Sequence, residues 1–201
     1  MIESTIPGVR YLGHQRHADA RGSFREIWRA SRLGPIDGTI ALLGGVSGIE
    51  ASFVQANVSS SAQSVLRGLH FHQRQLDYWT VGRGIGFVAL VDVRPLLMGP
   101  GGAPIVETRI LETDASVVIP SGVAHGFLAL EPLELLYLVT NEFDGSDELG
   151  FAWDDPTVAV SWPPVDTPDG RPILSDRDRS NPPLATLVAG LRDGDRGRAP
   201  G

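Results

Sequence analysis

Polar and apolar residues alternate through the stretch from Phe53 to His72, FVQANVSSSAQSVLRGLHFH, with the period of a β-strand. Asn57 and Ser59 alternate with Val58 and Ser60, and Val65, Arg67 and Leu69 alternate with Leu66, Gly68 and His70. Successive strand side chains point to opposite faces, so one face of each run carries a polar row while the other packs. A row holding arginine and histidine is unlike an ordinary solvated strand face and predicts the floor of a pocket. Further strands are predicted at Ile85–Val93, Ile105–Leu111, Ser116–Ile119 and Leu133–Val139, with Gly84 to Val93 reading as buried. The 24 glycines and 15 prolines fall between such runs, the punctuation expected of short strands joined by turns. This pattern predicts a mainly β jelly roll or related barrel with a few short helices. The helical segments expected are Phe24–Leu33 and Pro183–Leu191, and the polar, glycine-rich end, about residues 190–201, reads as a flexible tail.

No linker or internal repeat divides the 201 residues, which predicts a single domain over 1–201. The formal charge of −7 argues against a nucleic-acid-binding surface, although local arginines can still hold an anionic ligand. There is no cysteine, hence no disulfide framework and no thiol chemistry. The opening MIESTIPGVRYLGH lacks a basic segment followed by an apolar run, and no stretch is long enough to span a bilayer. The default expectation is a cytoplasmic protein without membrane partners.

Two more clusters carry chemical capacity. The segment from Pro120 to Phe127, PSGVAHGF, sets His125 just beyond a Pro–Gly turn. A lone histidine there is more often structural than functional. The second cluster is Trp162-Pro163 followed by Pro172-Ile173-Leu174-Ser175-Asp176-Arg177-Asp178. By composition it is a solvated charged loop, yet an aspartate can also orient a histidine and favour its protonated form.

Taken in order, several motifs resemble the dTDP-4-dehydrorhamnose 3,5-epimerase family. They are Asp19-x-Arg21-Gly22-x-Phe24-x-Glu26, Gln55-x-Asn57-x-Ser59 and Arg67-Gly68-Leu69-His70. Then come Pro120-x-Gly122-x-Ala124-His125-Gly126-Phe127, Tyr137, and Leu174-Ser175-Asp176-Arg177-Asp178. The ordered set covers about residues 1–185. The resemblance implies a cupin-type jelly roll, a homodimer, and action on a dTDP-linked 4-keto-6-deoxy sugar at C3, or at C3 and C5, with no cofactor and no metal. It makes His70 the general base with Asp178 as its partner, and Tyr137 the acid on the opposite face. It places Arg21, Arg67 and Arg177 near the diphosphate, and Glu26, Gln55, Asn57, His125 and Glu148 along the nucleotide and sugar pocket. In the family's dimer the N-terminal segment reaches the neighbouring site, which implies that Arg21 and Glu26 act in trans. These residue types suit proton transfer next to a ketone, which needs a base, an acid on the other face and positive groups near the enolate oxygen.

The chain departs from the family pattern after His70. The family carries a lysine where Gln75-Leu76-Asp77-Tyr78 places Asp77, and His72 stands at a position that is often glutamine. An anion thus replaces a cation that can stabilise the enolate. His70, His72, Asp77 and His125 also resemble the metal-binding pattern of other cupins, with aspartate for the usual glutamate. A metal-dependent cupin enzyme is therefore one alternative reading. A non-catalytic dTDP-sugar binder that has lost its cation is another.

Overall fold

The computed structural model describes residues 3–33, 52–99 and 101–196. Near the N-terminus lie β1 (Arg10–Gly13), β2 (Arg16–Asp19), β3 (Gly22–Arg25) and α1 (Ala30–Leu33). Four strands follow: β4 (Gln55–Ser61), β5 (Leu66–Phe71), β6 (Asp77–Arg83) and β7 (Ile85–Asp92). A short α2 (Arg94–Leu97) precedes β8 (Ile105–Glu112), β9 (Ala115–Ile119), β10 (Val123–Ala129) and β11 (Leu133–Val139). The chain closes with β12 (Leu149–Gly150), α3 (Asp176–Ser180) and α4 (Leu184–Arg196).

Ten strands form two five-stranded antiparallel sheets, ordered β1-β9-β6-β11-β4 and β12-β5-β10-β7-β8, the jelly-roll arrangement expected from the sequence. Their inner faces share a core that includes Trp79, Val81, Val88, Leu90, Val117, Phe127 and Leu135. The outer face of the second sheet is also covered. Leu69, Phe71, Ala89, Val91 and Ala124 pack there against Phe151, Val158, Leu184 and Val188. Strand β7 therefore alternates between two apolar environments, Val88 and Leu90 on one side and Ala89 and Val91 on the other, which is why its sequence is apolar from Ile85 to Val91.

The two predicted helices differ from what forms. Phe24 and Arg25 belong to β3, paired with His17 and Arg16 in an exposed hairpin, so helix is confined to Ala30–Leu33. The Arg25 guanidinium accounts for this: it binds the Asp114 carboxylate at 2.5 Å and donates to the carbonyls of Val81 and Gly82, tying the chain to the first sheet. At the other end α4 continues to Arg196, beyond the Gly190 at which a tail was expected. Leu184, Leu187, Val188 and Leu191 fall at helical spacing and pack on the second core, while Arg192 donates to the carbonyls of Leu96 and Gly99. Residues 197–201 of the expected tail lie outside the described residues. Among the described residues no helix is long and apolar enough to cross a membrane.

One irregularity positions the site. Strands β5 and β10 pair His70 with His125 but Arg67 with Phe127, so three steps on β5 match two on β10. This is a β-bulge, centred on Gly68, whose φ of +123° lies where side-chain-bearing residues are strained. The backbones also approach closely there. A Cβ on Gly68 would sit 2.7 Å from Gly126 Cα, and one on Gly126 would sit 2.8 Å from the Arg67 carbonyl oxygen. Gly126→Ala is expected to cost about 1–3 kcal/mol through this overlap. Gly13→Ala, whose new Cβ meets nothing within 4 Å, is expected to change stability by less than about 0.5 kcal/mol. Urea denaturation of both variants measures the contrast.

Candidate active site

A cavity of ≈ 390 Å³ opens between the sheets, lined by residues from β4, β5, β6, β10 and β11. Along β4 the inward positions are Gln55, Asn57 and Ser59, while Ala56, Val58 and Ser60 face outward. The polar row was legible in the alternation. Its opposite face is exposed rather than packed, with Val58 63% accessible. Arg67 and His70 both line the cavity, although strict alternation from Arg67 puts them on opposite faces. The bulge at Gly68 supplies the extra residue that restores His70 to the inner face.

His70 comes from the second sheet and Tyr137 from the first, so an imidazole and a phenol line the cavity from its two walls. The His70 ring is held from behind. Its Nε2 lies 2.6 Å from Asp178 Oδ1, and Asp178 is almost fully buried. Asp178 is fixed in turn by Ser175, the N-cap of α3. Its backbone N–H donates to Ser175 Oγ at 3.0 Å, and that hydroxyl donates to Asp178 Oδ2 at 2.9 Å. Burial pushes the Asp178 carboxyl up, but hydrogen bonds from His70, Ser175 and the Gly68 N–H outweigh it and hold its pKa below the ordinary value. With Nε2–H donating to this anion, Nδ1 remains the basic nitrogen of the ring. Burial, reinforced by the Asp77 charge, raises the Tyr137 pKa, so the phenol is protonated at neutral pH.

A third group lies at the cavity floor. His72, Asp77 and His125 come together with Asp77 2% and His125 5% exposed. Asp77 Oδ2 is 3.3 Å from His125 Nε2 and 4.0 Å from His72 Nε2, and the Gln75 amide donates to Asp77 Oδ1 at 2.9 Å. Burial pushes the Asp77 carboxyl up to about 6, against the lowering pull of His72 and Gln75. Burial likewise holds the His125 imidazole well below its ordinary value, so it is neutral at pH 7. His70, whose Nε2 is bound to Asp178, is not part of this group.

The family's sequence profile, described as dTDP-4-dehydrorhamnose 3,5-epimerase, matches residues 3–186. The chain belongs to that family. It is 34% identical over 196 residues to the Mycobacterium tuberculosis dTDP-4-dehydrorhamnose 3,5-epimerase, covering 93% of this chain and 88% of that one. It is 32% identical over 193 residues to the Streptomyces niveus dTDP-4-dehydrorhamnose 3-epimerase, covering 94% and 83%. Among solved structures it is similar to the Legionella pneumophila 3,5-epimerase in complex with dTDP-4-keto-L-rhamnose. That similarity has a TM-score of 0.77 at 29% identity, covering 94% of this chain and 95% of the other.

Of the residues that the epimerase motifs singled out, Gln55, Asn57, Arg67, His70, His125, Tyr137 and Glu148 line the cavity, and Asp178 stands directly behind His70. Three others do not line it. Arg177 is clasped to Glu148, with Nη1 2.5 Å from Oε2 and Nη2 donating to the main-chain carbonyl. Arg21 pairs with Asp19 inside the hairpin loop, and Glu26 pairs with Arg29 and Arg32. Trp79, Phe127 and Phe143 also line the cavity and were missed. Trp79 follows from Asp77 by the strand period of two, whereas Phe143 lies in a loop with no periodic signal. Asp147 was missed as well. Its carboxylate accepts from the backbone N–H groups of Gln73, Arg74 and Gln75, and its carbonyl accepts from His72 Nδ1, fixing the turn that leads to Asp77.

The depressed Asp178 pKa carries a sign. A carboxyl whose folded pKa is lowered contributes stability above its unfolded value and loses it as pH falls through the folded one. Asp178→Asn is therefore expected to be less stable than the parent at pH 6–8, a gap that closes as pH falls below the ordinary carboxyl value of 3.8. Thermal melts across this range test it, and a gap independent of pH would contradict the assignment.

Proposed function

We propose that this chain epimerises a dTDP-linked 4-keto-6-deoxyhexose at C3, or at C3 and C5, through an enolate. The observation that carries this reading is the placement of His70 and Tyr137 on facing sheets, with Asp178 bound to the far side of the imidazole. His70 Nδ1 takes the proton from the carbon beside the ketone, and the C–H electrons move onto the C4 oxygen. The imidazolium that forms is stabilised by the Asp178 carboxylate, which stays ionised. The Tyr137 O–H returns a proton to the opposite face of the same carbon, inverting it. Solvent then resets both groups. No atoms are gained or lost, so the reaction needs no redox cofactor.

Gln55, Asn57, Arg67 and Glu148 give the reading its recognition groups. The Arg67 guanidinium, bonded to Ser61 Oγ at 3.1 Å, is a planar donor suited to phosphate or sugar oxygens. Arg21 and Glu26 require a second chain. They belong to the N-terminal segment around the β2–β3 hairpin, where the Arg21 side chain is 89% and Phe24 71% exposed. A homodimer in which this segment enters the partner's cavity gives both residues a ligand and covers Phe24. Arg177 acts in this scheme by holding Glu148 against the cavity wall. The cytoplasm is the compartment expected for a nucleotide-activated sugar.

Incubation with dTDP-4-keto-6-deoxyglucose in deuterated water is expected to place deuterium at C3, or at C3 and C5. No exchange with folded protein would remove the proposal for that substrate. His70→Ala is expected to slow exchange by roughly 10²–10⁴-fold. Tyr137→Phe should leave proton removal measurable while suppressing inversion, and a silent Tyr137→Phe would refute the acid role. Mixing Arg21→Ala with His70→Ala chains tests the dimer. An Arg21 acting in trans restores one intact site per mixed dimer and recovers activity, whereas one acting in cis recovers none.

A further inference from the structure

His72, Asp77 and His125 form a convergent set of electron-pair donors that the epimerisation steps do not use. Each imidazole is oriented from behind by a main-chain carbonyl. His72 Nδ1 lies 2.8 Å from the Asp147 carbonyl oxygen, and His125 Nδ1 lies 3.1 Å from that of Val123. A ring that donates from Nδ1 presents Nε2 as its lone-pair nitrogen when neutral. The Gln75 amide confirms this tautomer for His72, since its NH₂ lies 3.3 Å from Nε2 and can only donate to it.

Both lone pairs then face a carboxylate oxygen, and the three ligand atoms lie within 4.8 Å of one another. Among the described residues no lysine or arginine forms a hydrogen bond or ion pair with any of the three side chains. One proton can bridge only the 3.3 Å His125–Asp77 pair, leaving His72 Nε2 4.0 Å away. A divalent ion would engage all three. At metal–ligand bonds of about 2.0–2.2 Å two donors of a tetrahedral site stand about 3.3–3.6 Å apart, so the 3.3 Å His125–Asp77 separation already fits and the 4.0 Å His72–Asp77 separation must close by about 0.5 Å. The two imidazole nitrogens, within 4.8 Å of one another, must also draw together, and the Gln75 amide must leave His72 Nε2 as they do.

We propose that His72 Nε2, His125 Nε2 and an Asp77 carboxylate oxygen form a binding site for a divalent transition-metal ion, with its remaining coordination positions open to the cavity. Two imidazoles and one carboxylate suit zinc, iron, cobalt or nickel rather than magnesium or calcium. The carbonyls of Asp147 and Val123 supply the orienting hydrogen bonds that metal-ligating histidines need. Asp147 also fixes the backbone between two of the ligands through its three amide contacts. A bound ion would put positive charge where Asp77 replaces the family's lysine, but the site stands on its own geometry and not on the epimerase reading.

Untagged protein, stripped of metal and dialysed, is titrated with Co²⁺ under visible spectroscopy and with Zn²⁺ by calorimetry. One ion per chain is expected, with d–d bands of a nitrogen–oxygen site. His72→Ala and the near-isosteric Asp77→Asn are each expected to weaken binding by at least about tenfold. His17→Ala, on the exposed hairpin, is expected to bind like the parent. Substoichiometric binding, or affinities that Asp77→Asn and His72→Ala leave unchanged, would overturn the site. Circular dichroism of each variant separates lost ligation from lost folding, and Asp77→Asn keeps the test open if His72→Ala does not fold. The titration uses no sugar nucleotide, so its failure leaves the epimerase reading standing, and failed deuterium exchange leaves the metal site standing.

Discussion

The extra residue in β5 is the constraint on which the site depends. Arg67 and His70 are separated by an odd number of positions, and a regular strand would turn one of them out of the cavity. The positive φ of Gly68 and the missing Cβ of Gly126 let β5 and β10 meet closely enough for the bulge to form. His70 then lies opposite His125 in register, with Leu69 and Phe71 on the outer face in the second core. Since Asp178 accepts from both the His70 ring and the Gly68 N–H, the bulge and the orientation of the imidazole are one arrangement.

Much of this was legible in the sequence. The inward row Gln55, Asn57, Ser59 and the strands at Ile85, Ile105 and Leu133 follow from period-two patterning, because each has one distinct inner face. The short ordered motifs carried the family, and with it the expectation that His70, Tyr137 and Asp178 share one site, as their placement at one cavity has it. What was not legible depends on contacts between distant segments. Phe24 and Arg25 look helical in isolation, but Arg25 is drawn to an aspartate in the turn after β8 and to carbonyls of β6, and tertiary contact overrides local preference. Leu184–Arg196 continues past Gly190 for the same reason, since its apolar stripe has a sheet to cover. Asp147 gave no sequence signal because its role is to bind backbone amides more than seventy residues away.

Arg21 and Glu26 show a different limit. Both match the family motif, yet within one chain each is satisfied by a near neighbour in sequence, in pairs exposed enough to be worth little. Such weak pairs are easily exchanged for other partners, because few contacts must be given up. In the homodimer proposed above, these exposed pairs would open as the hairpin enters the partner's cavity.

The two buried carboxylates divide the cavity's electrostatics between them. Asp178 accepts hydrogen bonds from an imidazole, a hydroxyl and a backbone amide, and these keep it ionised despite burial. Asp77 has one amide donor on its carboxylate, and burial wins, raising it to about 6. Environments that push like groups apart assign them different tasks. A carboxylate whose charge is already compensated can hold a base in one tautomer and stabilise the cation it becomes. A carboxylate with one amide donor, facing two imidazole lone pairs, favours a proton or another positive species beside it. The metal site proposed above would meet that demand with one ion shared by all three side chains.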